Sequence, residues 1–257
     1  MIKLTRPSRP TKLTDKKVKQ FTETFKGNKN SSVWRKDYIT QPLLEMSNSK
    51  CAFCECYLEE EGKYLQVEHY YPKSIYPDKV VEWGNLLPIC GRCNVKKGDH
   101  DTGINPIVDP TKNNPLDHFE FSFSEFRIVG KDELGIITEK ILDLNDVMGI
   151  GMTRFRICQT LVTELQDLIK MLNKYNPVTD GINDKLDIHK KFKNILCSGL
   201  PTVNYSAIVA TLLMANPYYE EIKQEMMEKV IWNVELDIIE KQIKKSAYRY
   251  NSPTIAK

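Results

Sequence analysis

The spacing of apolar residues predicts two short helices in the first fifty positions. Apolar side chains recur every three to five residues, first from Leu13 to Phe25 and then from Ile39 to Met46, a spacing that gathers them on one face of an α-helix. Pro42 lies within the second run, and we expect it to interrupt that helix because proline has no amide hydrogen for the helical hydrogen bond.

A two-residue period, typical of β-strands, appears in the middle of the chain. Three phenylalanines alternate with polar residues across 118–124, which predicts a strand with one apolar face. Residues 126–129 and 135–138 flank the segment GKDELG and are predicted to pair as a short β-hairpin. Residues 105–115 are rich in Pro and Asn and are predicted to form an irregular connector.

The second half of the chain returns to helical spacing. A stripe of apolar residues predicts one long amphipathic helix across 155–172, and an apolar residue at every fourth position predicts a second across 222–238. Two shorter helices are predicted at 186–196 and 206–215. Pro217 is suited to the first position of the last helix, where its missing amide hydrogen has no cost.

Composition narrows the class of protein. With 257 residues, of which 41% are apolar and 28% charged, the chain is typical of a globular protein with a substantial core. No apolar run approaches the roughly 20 residues that span a bilayer, and the first residues lack the apolar core of a secretory signal. We therefore expect a soluble, cytoplasmic protein with no membrane partner, in a reducing compartment where cysteine pairs favour metals over disulfides.

Positive charge is concentrated at both ends of the chain. Residues 1–50 contain twelve Lys or Arg and four Asp or Glu, and residues 241–257 contain five Lys or Arg and no Asp or Glu. Such ends attract the phosphates of nucleic acids, although solvated basic tails have the same composition. We assign residues 1–50 as a basic N-terminal helical segment.

Four cysteines form two pairs. Cys51 with Cys54, and Cys90 with Cys93, have the spacing with which each pair presents two thiolates to one tetrahedral Zn²⁺. One such pair alone also suits a redox site, but two pairs in a reducing compartment favour a structural zinc ion. Cys56 is expected to stay outside the site, with an exchange against Cys54 as the alternative.

A second pattern lies between and beside the cysteine pairs. Glu68 and His69 follow an apolar segment, Asn85 comes sixteen residues after His69, and Asn94 follows the last of the four cysteines. The surrounding segments are VEHYYPK and NLLPICGRCNVKKG. This order resembles the HNH nuclease family, whose ββα-metal motif has an acid-His pair on its first strand, an Asn near its second strand and a His or Asn on its helix.

The resemblance implies a role for each of these residues. His69 is the expected general base, since a neutral imidazole accepts a proton at neutral pH. Glu68 and Asn94 are expected to hold a catalytic Mg²⁺ or Mn²⁺, ions that favour oxygen ligands. Neighbours on a strand point to opposite faces, so Glu68 and His69 would have to meet at a strand end or bulge. Asn85 is expected to brace the loop through hydrogen bonds.

Three basic residues at the end of the motif are candidates for contact with phosphate. Lys96 and Lys97 lie where the helix of the motif would meet nucleic acid, and ordinary solvated helix lysines are the alternative. His100 lies six residues after Asn94, which does not match the spacing at which some members of the family place an additional metal ligand. We therefore keep His100 as a phosphate candidate, with a role as an additional metal ligand as the less favoured alternative.

The resemblance covers residues 51–144, and it points to one subgroup within the HNH family. The segments EHYYPKSIYP and NPIVDP, followed by the phenylalanine-rich strand, are similar to the HNH subunit of Septu-type anti-phage defence systems, which are also found beside some retrons. That similarity implies an SMC-like, ABC-type ATPase as the partner in a hetero-oligomer, with residues 146–257 as a helical docking scaffold.

The expected fold is mainly α, with a small ββα-metal core and a short β-hairpin. A zinc-stapled α+β nuclease module at 51–145 would be flanked by the helical segments 1–50 and 146–257. The expected function is hydrolysis of phosphodiester bonds in nucleic acid, with double-stranded DNA as the favoured substrate. Two alternatives stay open: a nuclease that acts on RNA, since such a core contacts the backbone more than the bases, and a module that binds nucleic acid or the ATPase without catalysis.

Overall fold

The computed structural model describes residues 1–58 and 64–251, and it is mainly helical with two small β-sheets. The chain divides into two compact units. The first unit comprises Met1–Phe119 and Val129–Leu144, and the second comprises Glu120–Ile128 and Asn145–Lys257. Residues 59–63 and 252–257, which the predicted domains include, lie outside the described residues.

The helices and strands follow one another along the chain in mixed order. The elements of the first unit are α1 (Asp15–Gly27), α2 (Asp37–Ser47), β1 (Gln66–His69), β2 (Leu86–Ile89), α3 (Gly91–Lys97), α4 (Pro115–His118) and α5 (Glu133–Ile141). The strands β3 (Phe119–Ser122) and β4 (Arg127–Gly130) contain residues of both units. The second unit continues with α6 (Met152–Lys174), α7 (Ile182–Cys197), α8 (Ser206–Ala215), α9 (Pro217–Glu228), α10 (Val234–Lys244) and β5 (Arg249–Asn251). Among these described helices, none combines the length and the apolar character needed to cross a bilayer.

The two helices predicted before the cysteines are confirmed as α1 and α2. Thr14 caps α1 by accepting a hydrogen bond from an amide of the first turn. The expected interruption at Pro42 is wrong, since α2 runs unbroken through that residue. Ile39 and Leu43 on the same helix are buried, and this burial outweighs the one helical hydrogen bond that proline removes.

The N-terminal helices belong to the core of the first unit. Leu86 of β2 lies in an apolar cluster with Ile39 and Leu43 of α2. A neighbouring cluster joins Trp34 to Val80. Full burial of an apolar side chain of this size contributes roughly 1.5–3 kcal/mol. Residues 1–50 are therefore packed against the sheet that follows them, and they are not a solvated tail.

The first sheet consists of β1 and β2, which pair antiparallel with His69 opposite Leu86. All four residues of β2 are buried, and a 3₁₀ turn at Trp83–Asn85 leads into this strand. Cys90 follows with extended backbone, and α3 begins at the next residue. Two strands and a short helix thus follow one another through the stretch that contains the predicted site residues.

The predicted β-hairpin is partly wrong. The strand predicted at 118–124 is confirmed as β3, but residues 135–138 belong to α5 and form no strand. Asp132 caps α5 by accepting a hydrogen bond from the amide of Gly135 at 2.8 Å, and an N-cap of this kind favours the helix. The neighbour of β4 is β3, which also pairs parallel with β5.

The second unit confirms three of the four predicted helices and corrects the last. The long helix across 155–172 is present as α6, and the two shorter helices are present as α7 and α8. The helix predicted across 222–238 is two helices, α9 and α10. Val230 has a left-handed backbone with φ of 55°, and Asn233 caps α10. Pro217 is the first residue of α9, which is not the last helix.

Candidate active site and metal sites

The four predicted cysteines converge in the first unit. The sulfur atoms of Cys51, Cys54, Cys90 and Cys93 all lie within 4.8 Å of one another, and no disulfide joins them. The Cys54 and Cys90 sulfur atoms are 3.7 Å apart, close to the roughly 3.8 Å expected for thiolates about 2.3 Å from a tetrahedral zinc ion. The cluster therefore fits structural zinc, and Cys56 stands outside the set of four.

Both cysteine pairs reach the same place because each is attached to β2. The amide of Ala52, beside the first pair, donates to the carbonyl of Pro88 in β2 at 2.8 Å. Cys90 and Cys93 come from the start of α3, which follows β2 directly. Hydrogen bonds from the Cys51 and Cys54 thiols lower the pKa of Cys90, which favours the thiolate that zinc binds.

A second site is a cleft of about 460 Å³ in the same unit. Glu68 and His69 at the end of β1 and Asn94 on α3 all line this cleft. Because Glu68 and His69 lie at the end of β1, their side chains can line the same cleft although the two residues are adjacent in the strand. Four other predicted site residues are not part of the cleft lining, namely Asn85, Lys96, Lys97 and His100.

His69 has a fixed tautomer and one unused ring nitrogen. Its Nε2 lies 2.8 Å from the carbonyl oxygen of Val80; because a carbonyl only accepts, Nε2 carries the hydrogen and Nδ1 carries the lone pair. Within residues 1–58 and 64–251, Nδ1 has no hydrogen-bond partner. Burial, aided by the charges of Lys73 and Lys97, lowers the pKa of His69 to about 4. The ring is therefore neutral at pH 7.

Packing holds the His69 ring in place. The ring of Trp34 meets it edge to face, with ring centroids 4.6 Å apart and an angle of 83° between the planes. His69 itself is only 4% exposed. Since rotation of a ring enclosed in this way is restricted, its lone pair keeps one direction relative to the cleft.

Glu68 forms a buried ion pair on one of its two oxygen atoms. Lys97 Nζ lies 2.5 Å from Glu68 Oε1 and donates a second hydrogen bond to the His69 carbonyl oxygen at 3.1 Å. Burial raises the pKa of Glu68, and the positive charge of Lys97 opposes that rise. Oε2 of Glu68 has no hydrogen-bond partner among the described residues, so this oxygen is available to a ligand in the cleft.

Asn94 also has one oxygen without a hydrogen-bond partner in the described part of the chain. Its Nδ2 donates to Gln66 Oε1 in β1 at 2.5 Å, which orients the amide so that Oδ1 is the remaining acceptor. A carboxylate oxygen from Glu68 and an amide oxygen from Asn94, in a cleft wide enough for water, form a donor set that suits a hard divalent ion such as Mg²⁺. The residues present fit that ion.

Asn85 lies outside the cleft and uses its whole amide within the loop between β1 and β2. Its Oδ1 accepts from the Tyr71 amide at 2.7 Å, and its Nδ2 donates to the carbonyls of Tyr71 and Lys79 at 3.1 and 3.0 Å. Lys79 precedes Val80, whose carbonyl holds His69. The buried Asn85 side chain therefore fixes the loop that orients the imidazole.

The three candidates for phosphate contact have different surroundings. Lys96 is partly exposed and forms an ion pair with Asp143 at 2.7 Å. His100 Nε2 lies 2.7 Å from the Asn105 carbonyl oxygen. Lys97 has a fully buried side chain and binds Glu68. Lys97 therefore lies inside the protein, away from the exposed surface of α3.

Eight residues to which the sequence assigned no role also line the cleft, and four of them have an aromatic or charged side chain. These four are Trp34, Arg35, Lys73 and Asp99. Lys73 lies within the segment VEHYYPK, and Asp99 directly follows the segment NLLPICGRCNVKKG, but nothing in their spacing assigned them a role. Trp34 and Arg35 come from the connection between α1 and α2, and only the three-dimensional packing of that segment brings them to the cleft.

Comparison with known proteins finds a relative across nearly the whole chain. A protein of Bacillus thuringiensis described as Septu protein PtuB is 40% identical over 238 residues, which cover 91% of this chain and 90% of the relative. No protein-family model matches the sequence, and no solved structure matches the chain. At this identity and coverage, the two proteins are related along most of their length.

Proposed function

Since this chain belongs to the PtuB family of Septu proteins, we propose that it is a metal-dependent HNH endonuclease that cuts nucleic acid for a Septu defence system. Double-stranded DNA is the substrate that we propose in preference to RNA. The observation that carries the proposal is a set of atoms without a hydrogen-bond partner among the described residues, namely Nδ1 of the neutral His69 and one oxygen each of Glu68 and Asn94, three residues that line one cleft. A base and an oxygen donor set in one cleft are what phosphodiester hydrolysis needs.

In this proposal β1, β2 and α3 are the ββα core of the nuclease. The antiparallel pairing of β1 with β2 and the short helix after them support that assignment. Residues 51–145 would form the nuclease domain, with residues 1–50 as its basic flank and 146–257 as the docking scaffold. The four-cysteine cluster would hold Zn²⁺ and fix the ends of the core.

The proposed reaction begins with His69. Its Nδ1 takes a proton from a water molecule that attacks phosphorus, and the bond from phosphorus to the 3′ oxygen breaks. The departing 3′ oxygen takes a proton from a second water molecule, which leaves 5′-phosphate and 3′-hydroxyl ends. A divalent ion held by Glu68 and Asn94 would supply positive charge to the phosphate oxygens. Arg35 and Lys73 line the same cleft and would orient the backbone of the substrate through its phosphates.

The proposed partner is a PtuA-like ATPase of the SMC-like, ABC type. Membership of the PtuB family supports this partner, and we assign the helices α6 to α10 as the segment that docks it. A pull-down of the tagged chain, co-expressed with a PtuA-like ATPase, tests the pairing. Recovery of this chain alone, free of the ATPase, would remove the partner from the proposal.

Plasmid cleavage tests the proposed function. The purified chain, with and without its ATPase, is incubated with supercoiled plasmid and Mg²⁺. We expect His69→Ala to lower the cleavage rate by about 10²–10⁴-fold, because general-base catalysis contributes that much. His118→Ala is the matched control and should cut at the normal rate, since His118 Nδ1 lies 2.7 Å from Asp132 Oδ2 and His118 does not line the cleft.

Three outcomes separate the proposal from its alternatives. Cleavage that survives His69→Ala unchanged contradicts the role of His69. Cleavage of RNA but not of DNA by the unmodified protein changes the substrate and keeps the chemistry. Tight binding of nucleic acid without turnover, in both Mg²⁺ and Mn²⁺, indicates a binding module.

A further inference from the structure

The charge of the cleft is unusual for a site that binds a divalent cation. Among the lining residues, Glu68 and Asp99 are acidic, while Arg35 and Lys73 are basic. Lys97 adds a further positive charge through its ion pair with Glu68. Among the described residues of this lining, the charges therefore leave no surplus of negative charge for an ion with two positive charges.

Lys97 cannot move aside to make room for that ion without breaking buried contacts. Its side chain is 0% exposed, and its ammonium is bonded both to Glu68 Oε1 and to the His69 carbonyl oxygen. Moving a buried ammonium without replacing these partners is costly. The positive charge of Lys97 is thus a permanent neighbour of the proposed metal ligand.

We infer that Lys97 is a positioning residue that keeps the affinity of the cleft for a divalent ion low until substrate phosphate is also bound. The inference rests on the proposed function and adds a regulation to it. Lys97 occupies Oε1 and leaves only Oε2 of Glu68 for the ion. A phosphate in the cleft would supply the negative charge that the side chains lack, so that ion and substrate would strengthen the binding of each other.

Binding of Mn²⁺ without nucleic acid tests this inference directly. Zinc-loaded protein is titrated with Mn²⁺, and the free ion is measured by electron paramagnetic resonance. We expect Lys97→Met to bind Mn²⁺ at least about tenfold more tightly than the unmodified protein, because two cations no longer share one carboxylate. Equal or weaker binding by Lys97→Met would overturn the inference.

The neighbouring lysine provides the matched control. Lys96→Met removes the same charge from the same helix, but Lys96 pairs with Asp143 and does not line the cleft. We expect its affinity for Mn²⁺ to equal that of the unmodified protein. An equal tightening in Lys96→Met would mean that net charge alone sets the affinity, which contradicts a specific role of Lys97.

A second variant guards against loss of the fold. Lys97→Met leaves Glu68 in a buried position without its cation, so circular dichroism must show that the variant is folded. Lys97→Gln keeps hydrogen-bond donors without the charge, and it should show the same tightening. Weak Mn²⁺ binding by a folded Lys97→Gln protein would also overturn the inference.

A DNA duplex tests the coupling to substrate. In the His69→Ala background, we expect a short duplex to tighten Mn²⁺ binding by about tenfold. When Lys97→Met is added to that background, we expect the same duplex to tighten Mn²⁺ binding much less. No tightening by a duplex that the unmodified protein cuts would overturn the coupling. If the unmodified protein cuts no nucleic acid, the proposed function fails, while the Mn²⁺ titration without nucleic acid still decides the role of Lys97.

Discussion

The cysteine cluster and three residues of the cleft, Glu68, His69 and Asn94, lie in one stretch of sequence, residues 51–99. The two sites differ in which side-chain atoms have a partner within the protein. In the cluster, four identical ligands converge to within 4.8 Å of one another. In the cleft, Glu68, His69 and Asn94 each have one atom bound within the protein and one atom without a described partner.

This difference separates a structural role from a chemical one. A metal ion with four protein ligands has no position left for water or substrate, whereas reactive sites keep such positions free. The cluster should therefore contribute stability. The cleft should contribute chemistry, since its unused nitrogen and oxygens are the atoms that can meet water, a metal ion or phosphate.

Loss of one cysteine is expected to have the largest effect on stability. Cys93→Ala removes one of four zinc ligands. Structural zinc contributes about 10 kcal/mol or more, which is comparable to the whole stability of a typical domain. We expect the variant to lose its zinc, measured by plasma mass spectrometry, and to lose the cooperative unfolding of the first unit, measured by circular dichroism.

A cysteine outside the cluster provides the control for that experiment. Cys158 lies in α6 and is partly exposed, so Cys158→Ala should keep both zinc and cooperative unfolding. Full zinc content in Cys93→Ala would contradict the assignment of the cluster, and it would point to Cys56 as a replacement ligand.

A smaller effect is expected from His69 as the pH is lowered. Burial lowers its pKa to about 4 in the folded protein, whereas an exposed imidazole in the unfolded chain has a pKa of about 6.5. The unfolded chain therefore binds a proton first, and stability falls as the pH decreases from 6.5 towards 4. By this linkage His69 accounts for a loss of about 2 kcal/mol between pH 7 and pH 5.

Urea unfolding at several pH values measures this loss. His69→Gln removes the titrating ring, so the stability of this variant should fall less than that of the unmodified protein over the same range. His100→Gln is the control and should retain the full decrease. Identical pH dependence in His69→Gln and the unmodified protein would contradict a buried, neutral His69.

The cysteine cluster was predictable because each pair is a local pattern. Two residues between the members of a pair bring their sulfurs together whatever the rest of the fold does. The gathering of Glu68, His69 and Asn94 in one cleft was suggested by motif order alone, and their catalytic roles stay predictions. Their convergence depends on the pairing of β1 with β2, which places α3 beside the end of β1.

The parts that sequence analysis missed depend on tertiary packing. Nothing in the sequence indicated that Trp34, from the α1–α2 connection, would pack against His69. The burial of Lys97 depends on which side of α3 packs towards β1, which a lysine next to another lysine does not reveal. Apolar residues continue at every fourth position through Val230, although the helix is broken at that residue. Periodicity alone therefore predicted one helix in place of α9 and α10.

In the proposed function, one stretch of chain holds a structural zinc site and a separate, exchangeable metal site for catalysis. The most direct test transfers the zinc-loaded protein into metal-free buffer, and then measures zinc content and plasmid cleavage in the same sample before and after Mg²⁺ is returned. We predict that cleavage stops without Mg²⁺ and recovers when it is restored, while zinc stays bound throughout. Cleavage that continues without Mg²⁺, or that recovers only when zinc is added, would contradict the claim.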